Sequence, residues 1–321
     1  MHLRDASPQR KKIATILTFL SIPLSGFMTD IYLPSFPSMA RNLSVSEQSI
    51  QLTLTCFFLS SGFSQLFVGP VADSVGRRKP MLISLAVLLL SSLAVTFTGE
   101  VLVISVLRIV QGIATAFIVV AKRAYFVDLF DDEKRKHYLS YFTIVWSCGP
   151  IIAPFLGGFL EEHLGWQSNF YFLAIYAAIL FVGELVFSGE TIRNYKKFNL
   201  KKTGLLYLAM LKNPGFILGI AVLGCAYSVV MVFNIAGPFV VEQHFNYNAV
   251  IIGYCTLVLG FAWMIGGILS KRFTPVNFTK KIRLVSLTQL VLIGLFIGLG
   301  SMIDNLVLLV GFAFIVHICS G

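Results

Sequence analysis

Charge is what this sequence has least of: 12% of its 321 residues are Asp, Glu, Lys or Arg, about half the share of a soluble globular domain. Histidine is sparse too, and His2, His137, His163, His244 and His317 stand far apart, so no nucleophile and base or metal-ligand cluster can be read from neighbours in the chain. Cys56, Cys148, Cys225, Cys255 and Cys319 lack paired or metal-ligand spacing and read as buried small apolar residues. No redox chemistry, metal or cofactor is expected, and the chain is expected not to be an enzyme. The alternation of a membrane-barrel strand is also missing, because "MLISLAVLLLSSLAVTFTG" is apolar on every face. After "QRKK" an apolar stretch of about 25 residues ends in "LPSFP" with no small-residue cleavage pattern, so the first span is expected to stay in the mature protein.

What is abundant is apolar: 56% of the residues are hydrophobic and 29 are Phe. Stretches long enough for a helix to cross about 30 Å of hydrocarbon recur along the chain. They fall at 13–37, 48–70, 80–98, 101–121, 138–160, 168–188, 214–236, 248–270, 282–300 and 305–321. The expected fold class is therefore all-α and transmembrane. Of the 25 Lys and Arg residues, 23 fall before the first span or in and around the loops after even-numbered spans, which leaves Arg41 and Arg108. Short loops rich in Lys and Arg stay in the cytoplasm, so the N-terminus, Lys12 and Lys197 are expected inside, with Glu161 and Glu242 outside. The net charge of +10 needs no nucleic acid partner to explain it.

The longest polar break, "SGETIRNYKKFNLKKTGLLYLAMLKNP", suggests a division into a six-helix bundle at 1–188, a cytoplasmic linker at 189–213 and a partial second bundle at 214–321. The end of that linker can form an amphipathic helix on the membrane surface, with its lysines at the headgroups. Two six-helix bundles are the layout of many transporters. The second bundle is expected to be incomplete here, by two helices.

"GPVADSVGRRK" at 69–79 joins the second and third spans. Gly69 is expected to let the helix end approach a neighbour, Gly76 to permit a turn with φ > 0, and Arg77, Arg78 and Lys79 to hold the loop in the cytosol. Asp73 works against that charge bias unless it meets a helix N-terminus or a base. Arg123, Asp128 and Glu190 are expected to complete a cytoplasmic latch with it. A weaker copy of this loop, "GGILSKRFTPVNFTKK", follows the eighth span, with Ser270 or Lys271 in place of Asp73; any basic loop after a small-residue helix end is the plainer reading.

In "GPIIAPFLGG", Gly149, Pro150, Pro154, Gly157 and Gly158 would weaken a water-exposed helix but allow kinking and close backbone contact in a membrane. Helix 5 then packs on a partner in the second bundle and seals it against ion leak, or serves as a packing surface only.

The loop "GPVADSVGRRK" resembles the signature loop of the major facilitator superfamily. "RIVQGIATA" (Arg108, Gln111, Gly112) resembles its helix 4 motif and "GPIIAPFLGG" its antiporter helix 5 motif. "TDIYLPSFP" is similar to helix 1 of the twelve-helix drug/proton antiporters, the Bcr/CflA-type multidrug efflux transporters in particular. The resemblance implies export of small, often drug-like molecules in exchange for protons across a bacterial inner membrane. In it the Asp73 loop locks against an eleventh helix, beyond this chain. The expected partners are a small-molecule substrate, protons and the lipid bilayer, with no nucleic acid, and the expected state is a monomer. Export of a metabolite such as an amino acid or sugar, or a truncated non-transporting fragment, are the alternatives; a channel or receptor is less favoured.

Buried charges default to functional roles, because each costs several kcal/mol unless paired or wet. Asp30 and Arg108 lie roughly 9 and 10 Å below the same outer boundary by helix rise. They are expected to pair, with Asp30 carrying the proton or acting as a structural counter-ion, and with Glu184 next in line. Gln111, Tyr227 and Asn234 are substrate contacts or core hydrogen-bonding residues. Trp146, Trp166 and Trp263 read as interface anchors or core rather than stacking partners.

Overall fold

Proline decides the shape of the first span. In the computed structural model, which describes residues 2–195, 197–272, 278–299 and 305–321, the expected single helix is a broken run. It comprises α1 (Pro8–Ser21), α2 (Leu24–Asp30), a 3-10 turn (Leu33–Ser35) and α3 (Phe36–Asn42). Pro23 stands between α1 and α2, and Pro34 occupies the 3-10 turn. Each lacks an N–H and cannot continue the helix behind it.

Each of the next five spans is a single helix: α4 (Glu47–Val75), α5 (Arg78–Thr96), α6 (Val101–Leu129), α7 (Asp132–Leu164) and α8 (Gln167–Phe187). Ser46 and Asp131 cap α4 and α7 by accepting from Ser49 N and Lys134 N. The segment between the two helix sets holds α9 (Leu200–Leu211). None of its residues is buried, and Tyr207 ties it to α4 by donating to the Leu66 carbonyl at 2.6 Å. Then follow α10 (Pro214–Gln243), α11 (Ala249–Arg272), α12 (Phe278–Leu299) and α13 (Leu306–Ser320). Among the described residues, eight helical runs have the length and apolar character to cross a membrane, and the shorter apolar helices Ile282–Gly298 and Leu306–Ser320 stand at the ninth and tenth expected spans. The centre of the second basic loop, 273–277, lies outside the described residues, and with it the comparison of that loop with 69–79.

Helices α4 and α6, α5 and α8, and α5 and α6 pack as neighbours, while α11 bridges α7 and α13. The interior of the first six spans is an apolar and aromatic cluster that includes Met28, Tyr32, Phe36, Phe57 and Phe170. Outward faces are apolar as well: Leu59 is 69% exposed and Phe63 67%. A water-soluble fold would hide such side chains, whereas hydrocarbon solvates them.

Candidate functional site

Five polar or aromatic side chains line the buried face of α6. Arg108, Gln111, Thr115, Lys122 and Tyr125, with Ile118 among them, follow one another at steps of three or four residues and are all buried. Arg108 is wholly enclosed. Its Nη1 donates to Gln111 Oε1 and its Nη2 to the Met28 carbonyl, both at 2.8 Å. The guanidinium carbon lies 4.6 Å from the Tyr32 ring centre and 4.3 Å from that of Phe57. Gln111 passes the network to Ser92 Oγ at 3.3 Å.

The break in the first span explains this arrangement. Because α2 stops at Asp30, carbonyls of its last turn can accept from donors outside the helix. Arg108 supplies one, and the two aromatic faces take up the remaining positive charge.

Asp30, at the end of α2, is 5% exposed. The direct ion pair expected between Asp30 and Arg108 is not made: the described residues contain no contact of that kind between them, and the two guanidinium Nη atoms are engaged by Gln111 and the Met28 carbonyl instead, beside two aromatic rings. Asp30 remains within electrostatic reach of Arg108 and, from the other helix set, of Tyr227. Tyr227 on α10 stands 6.2 Å, ring to ring, from Trp263 on α11, which meets Trp146 on α7 edge-on at 6.0 Å. Trp146 and Trp263 thus touch each other between the helix sets, while Trp166 is core, packed on Phe170. Asn234 is half-buried, with no side-chain partner among the described residues.

A second buried pair was not visible in the sequence. Lys122 Nζ bonds Glu184 Oε1, and it also donates to Thr18 Oγ1 at 3.4 Å. Both residues are buried, and Glu184 Oε2 has no hydrogen-bond partner among the described residues. Hydrophobicity alone ends this span at residue 121 and puts Lys122 in the loop, whereas α6 runs on to Leu129. The available signal was the three- and four-residue spacing from Arg108.

At the end carrying the basic loops, Glu190 organises the 69–79 turn. Its carboxylate accepts from the backbone N–H groups of Arg77, Arg78, Thr191 and Ile192 at 2.9 to 3.2 Å. Two of those donors open α5, so an acid from the linker meets the positive end of that helix. Gly76 has φ +92°, and a methyl there would stand 2.5 Å from Glu190 Oε2, so both backbone and space require glycine. Arg77 bridges Asp73 at 3.2 Å and Asp128 at 2.9 Å, and Thr191 donates to Asp128 at 2.8 Å. Arg78 donates to the Leu185 carbonyl. Arg123 points away: it is exposed and joins none of these ion pairs. Gly69 also differs from expectation, because a methyl there would meet no described atom within 4 Å.

The α7 motif is wedged between two neighbours. A methyl at Gly149 would lie 2.9 Å from the Pro23 carbonyl oxygen, and one at Gly157 only 1.6 Å from that of Ile31. One on Gly26 would lie 2.7 Å from the Pro150 ring. On the other side Gly158 meets the Ala249 carbonyl, and Gly253 of α11 meets that of Pro154. The partner in the second helix set is therefore α11, and the first span is an additional partner. At the end opposite the basic loops, Arg41 pairs with Glu242 at 2.5 Å, Gln243 donates to Glu47 at 2.5 Å, and the Phe36 and Phe239 rings lie 6.2 Å apart. These contacts close α3 and α4 against α10.

Comparison with known proteins agrees with this architecture. A nucleoside transporter structure superposes with a TM-score of 0.76 at 14% identity, covering 97% of this chain and 79% of that one. A D-xylose-proton symporter gives a TM-score of 0.67 at 15% identity, covering 96% and 79%. In sequence, a bicyclomycin resistance protein homolog of Haemophilus influenzae is 37% identical over 164 residues, 51% of this chain and 41% of that protein. The multidrug resistance protein D of Escherichia coli is 28% identical over 210 residues, 65% of this chain and 52% of that protein. The chain thus matches about half the length of these two curated relatives. Residues 18–321 match the Major Facilitator Superfamily, and the chain belongs to that family of multi-pass membrane transporters.

Proposed function

We propose that the protein exports small amphipathic, drug-like molecules in exchange for protons, and that Asp30 is the group at which proton and substrate compete. The observation that carries this reading is a buried carboxylate without an ion-pair partner, beside an arginine that is held by other groups. A carboxylate locked in a salt bridge resists protonation, whereas one merely within reach of a cation can take up and release a proton as its surroundings change. Tyr227, Trp146 and Trp263 give the same region an aromatic surface shared by α7, α10 and α11. That suits a flat apolar substrate. The names of the Haemophilus and Escherichia relatives favour drug-like molecules over metabolites.

In this reading residues 1–188 form one moving bundle, 189–213 the linker and 214–321 the described part of the second. The basic loops are cytoplasmic, as the excess of Lys and Arg at that end favours, in a bacterial inner membrane. The Arg41, Glu242, Gln243 and Glu47 contacts then form the outer closure, and the site faces the cytosol. Proteoliposomes with an imposed pH gradient test the function. The protein should concentrate a fluorescent amphipathic dye, saturably and only with the gradient present. Asp30→Asn should bind the dye but not concentrate it. Gradient-driven accumulation by Asp30→Asn would assign coupling to another group.

A further inference from the structure

The N-terminal residues, the start of α1 and the segment after α8 meet at the basic end around a cavity of about 300 Å³. Arg4, Lys11 and Arg193 line it together with Tyr125, Leu129 and Phe130. The three cations come from three different segments, and each segment is fixed. Leu3 is fully buried and donates to the Glu190 carbonyl at 2.8 Å. Arg10 holds α1 to the end of α8 through the Val186, Phe187 and Ser188 carbonyls at 2.8 to 3.2 Å. Tyr125 is buried, and its hydroxyl is engaged by Thr15 Oγ1 at 2.9 Å. Asp5 pairs with Arg193 at 2.9 Å, whereas Arg4 and Lys11 make no ion pair with any described residue. The cavity therefore gathers more positive charge than its own acids neutralise, against a wall of Leu129 and Phe130.

We propose that this cavity binds a phosphate-bearing anion, presented to it as the headgroup of an acidic phospholipid. Several convergent cations match a phosphodiester, and the apolar wall suits the glycerol and acyl carbons that follow it. Arg4 lies within electrostatic reach of Asp128, the acid that holds Arg77, so the occupied site adjoins the latch. The proposal rests on reading the basic end as the level of the lipid headgroups. Binding measured on purified protein does not depend on transport, so its failure would leave the transport reading standing.

The test is native mass spectrometry of the full chain in detergent, titrated separately with phosphatidylglycerol, phosphatidylethanolamine and inorganic phosphate. Phosphatidylglycerol should bind saturably and more tightly than phosphatidylethanolamine. Combining Arg4→Gln, Lys11→Gln and Arg193→Gln should weaken it by about fivefold per charge removed. Lys12→Gln, Lys197→Gln and Lys201→Gln remove the same charge from exposed positions outside the cavity and should leave binding unchanged. Asp5→Asn, which frees Arg193, should tighten binding and serves if the triple variant does not fold. Displacement of the lipid by inorganic phosphate would extend the ligand to free phosphate, and no displacement would restrict it to the headgroup; both fit the cavity. Equal loss in the two triple variants, equal binding of the two lipids, or no effect of Asp5→Asn together with none of Arg4→Gln alone would overturn the proposal.

Discussion

Arg108 and Lys122 sit four turns apart on one face of α6 and solve the same difficulty differently. A buried cation must replace the hydration it has lost. Arg108 does so with a carbonyl, an amide and two aromatic faces, and Lys122 with Glu184 and Thr18. Removing one member of the latter pair strands the other. Glu184→Leu should therefore lower stability by about 3 to 5 kcal/mol, while Glu184→Leu combined with Lys122→Met should recover most of the loss. Thermal unfolding in detergent checks this, and an equally unstable double variant would give the pair a role beyond mutual neutralisation. Asp30 and Arg108 were legible in the sequence because any charge within an apolar run stands out. Their partners were not, since a backbone carbonyl freed by a helix break and the face of an aromatic ring carry no letter pattern of their own.

At the scale of elements, the glycines separate space that is used from space that is free. Gly157 of α7 faces the Ile31 carbonyl so closely that a methyl must push two helices apart. Gly157→Ala should cost about 1 to 3 kcal/mol by overpacking, and Gly69→Ala, with nothing within 4 Å of its methyl, should stay within about 0.5 kcal/mol. Equal melting temperatures for the two variants would contradict the wedge. Gly76→Ala carries both a positive φ and a collision with Glu190, so it should loosen the 69–79 turn, read as faster amide hydrogen exchange there. Span positions were readable because about twenty apolar residues are needed to cross hydrocarbon. Helix ends were not. α6 continues into charged residues because its inner face stays packed, and the first span breaks at its prolines despite continuous hydrophobicity.

For the whole molecule, the two ends behave differently. At one end, Arg41 and Glu242 join the two helix sets. At the other, the ion pairs of the 69–79 turn stay within the first six spans and the segment after them. The Arg41 and Glu242 pair, exposed on the arginine side and half-buried on the other, should contribute little to stability, about 0 to 1 kcal/mol. In the transport reading proposed above it holds the outer end closed. Cysteines at positions 41 and 242 should cross-link readily on a background without native cysteines, and the cross-link should stop dye export until reduced. Export that continues through the cross-link would mean this end never opens. Labelling in intact cells from outside should reach a cysteine at position 242 but not one at position 197.

Proton release on substrate binding tests the competition at Asp30 most directly. Purified protein in weakly buffered detergent solution is mixed with the amphipathic dye near the pH at which half of the protein is protonated, and the pH change is recorded. Linkage requires that, if a proton opposes the dye, the dye must expel it in turn. Wild-type protein should release a proton as the dye binds, in two buffers of different ionisation heat, and Asp30→Asn should bind the dye with no release. Undiminished proton release by Asp30→Asn would contradict the central claim and move the proton to another buried acid, Glu184 first.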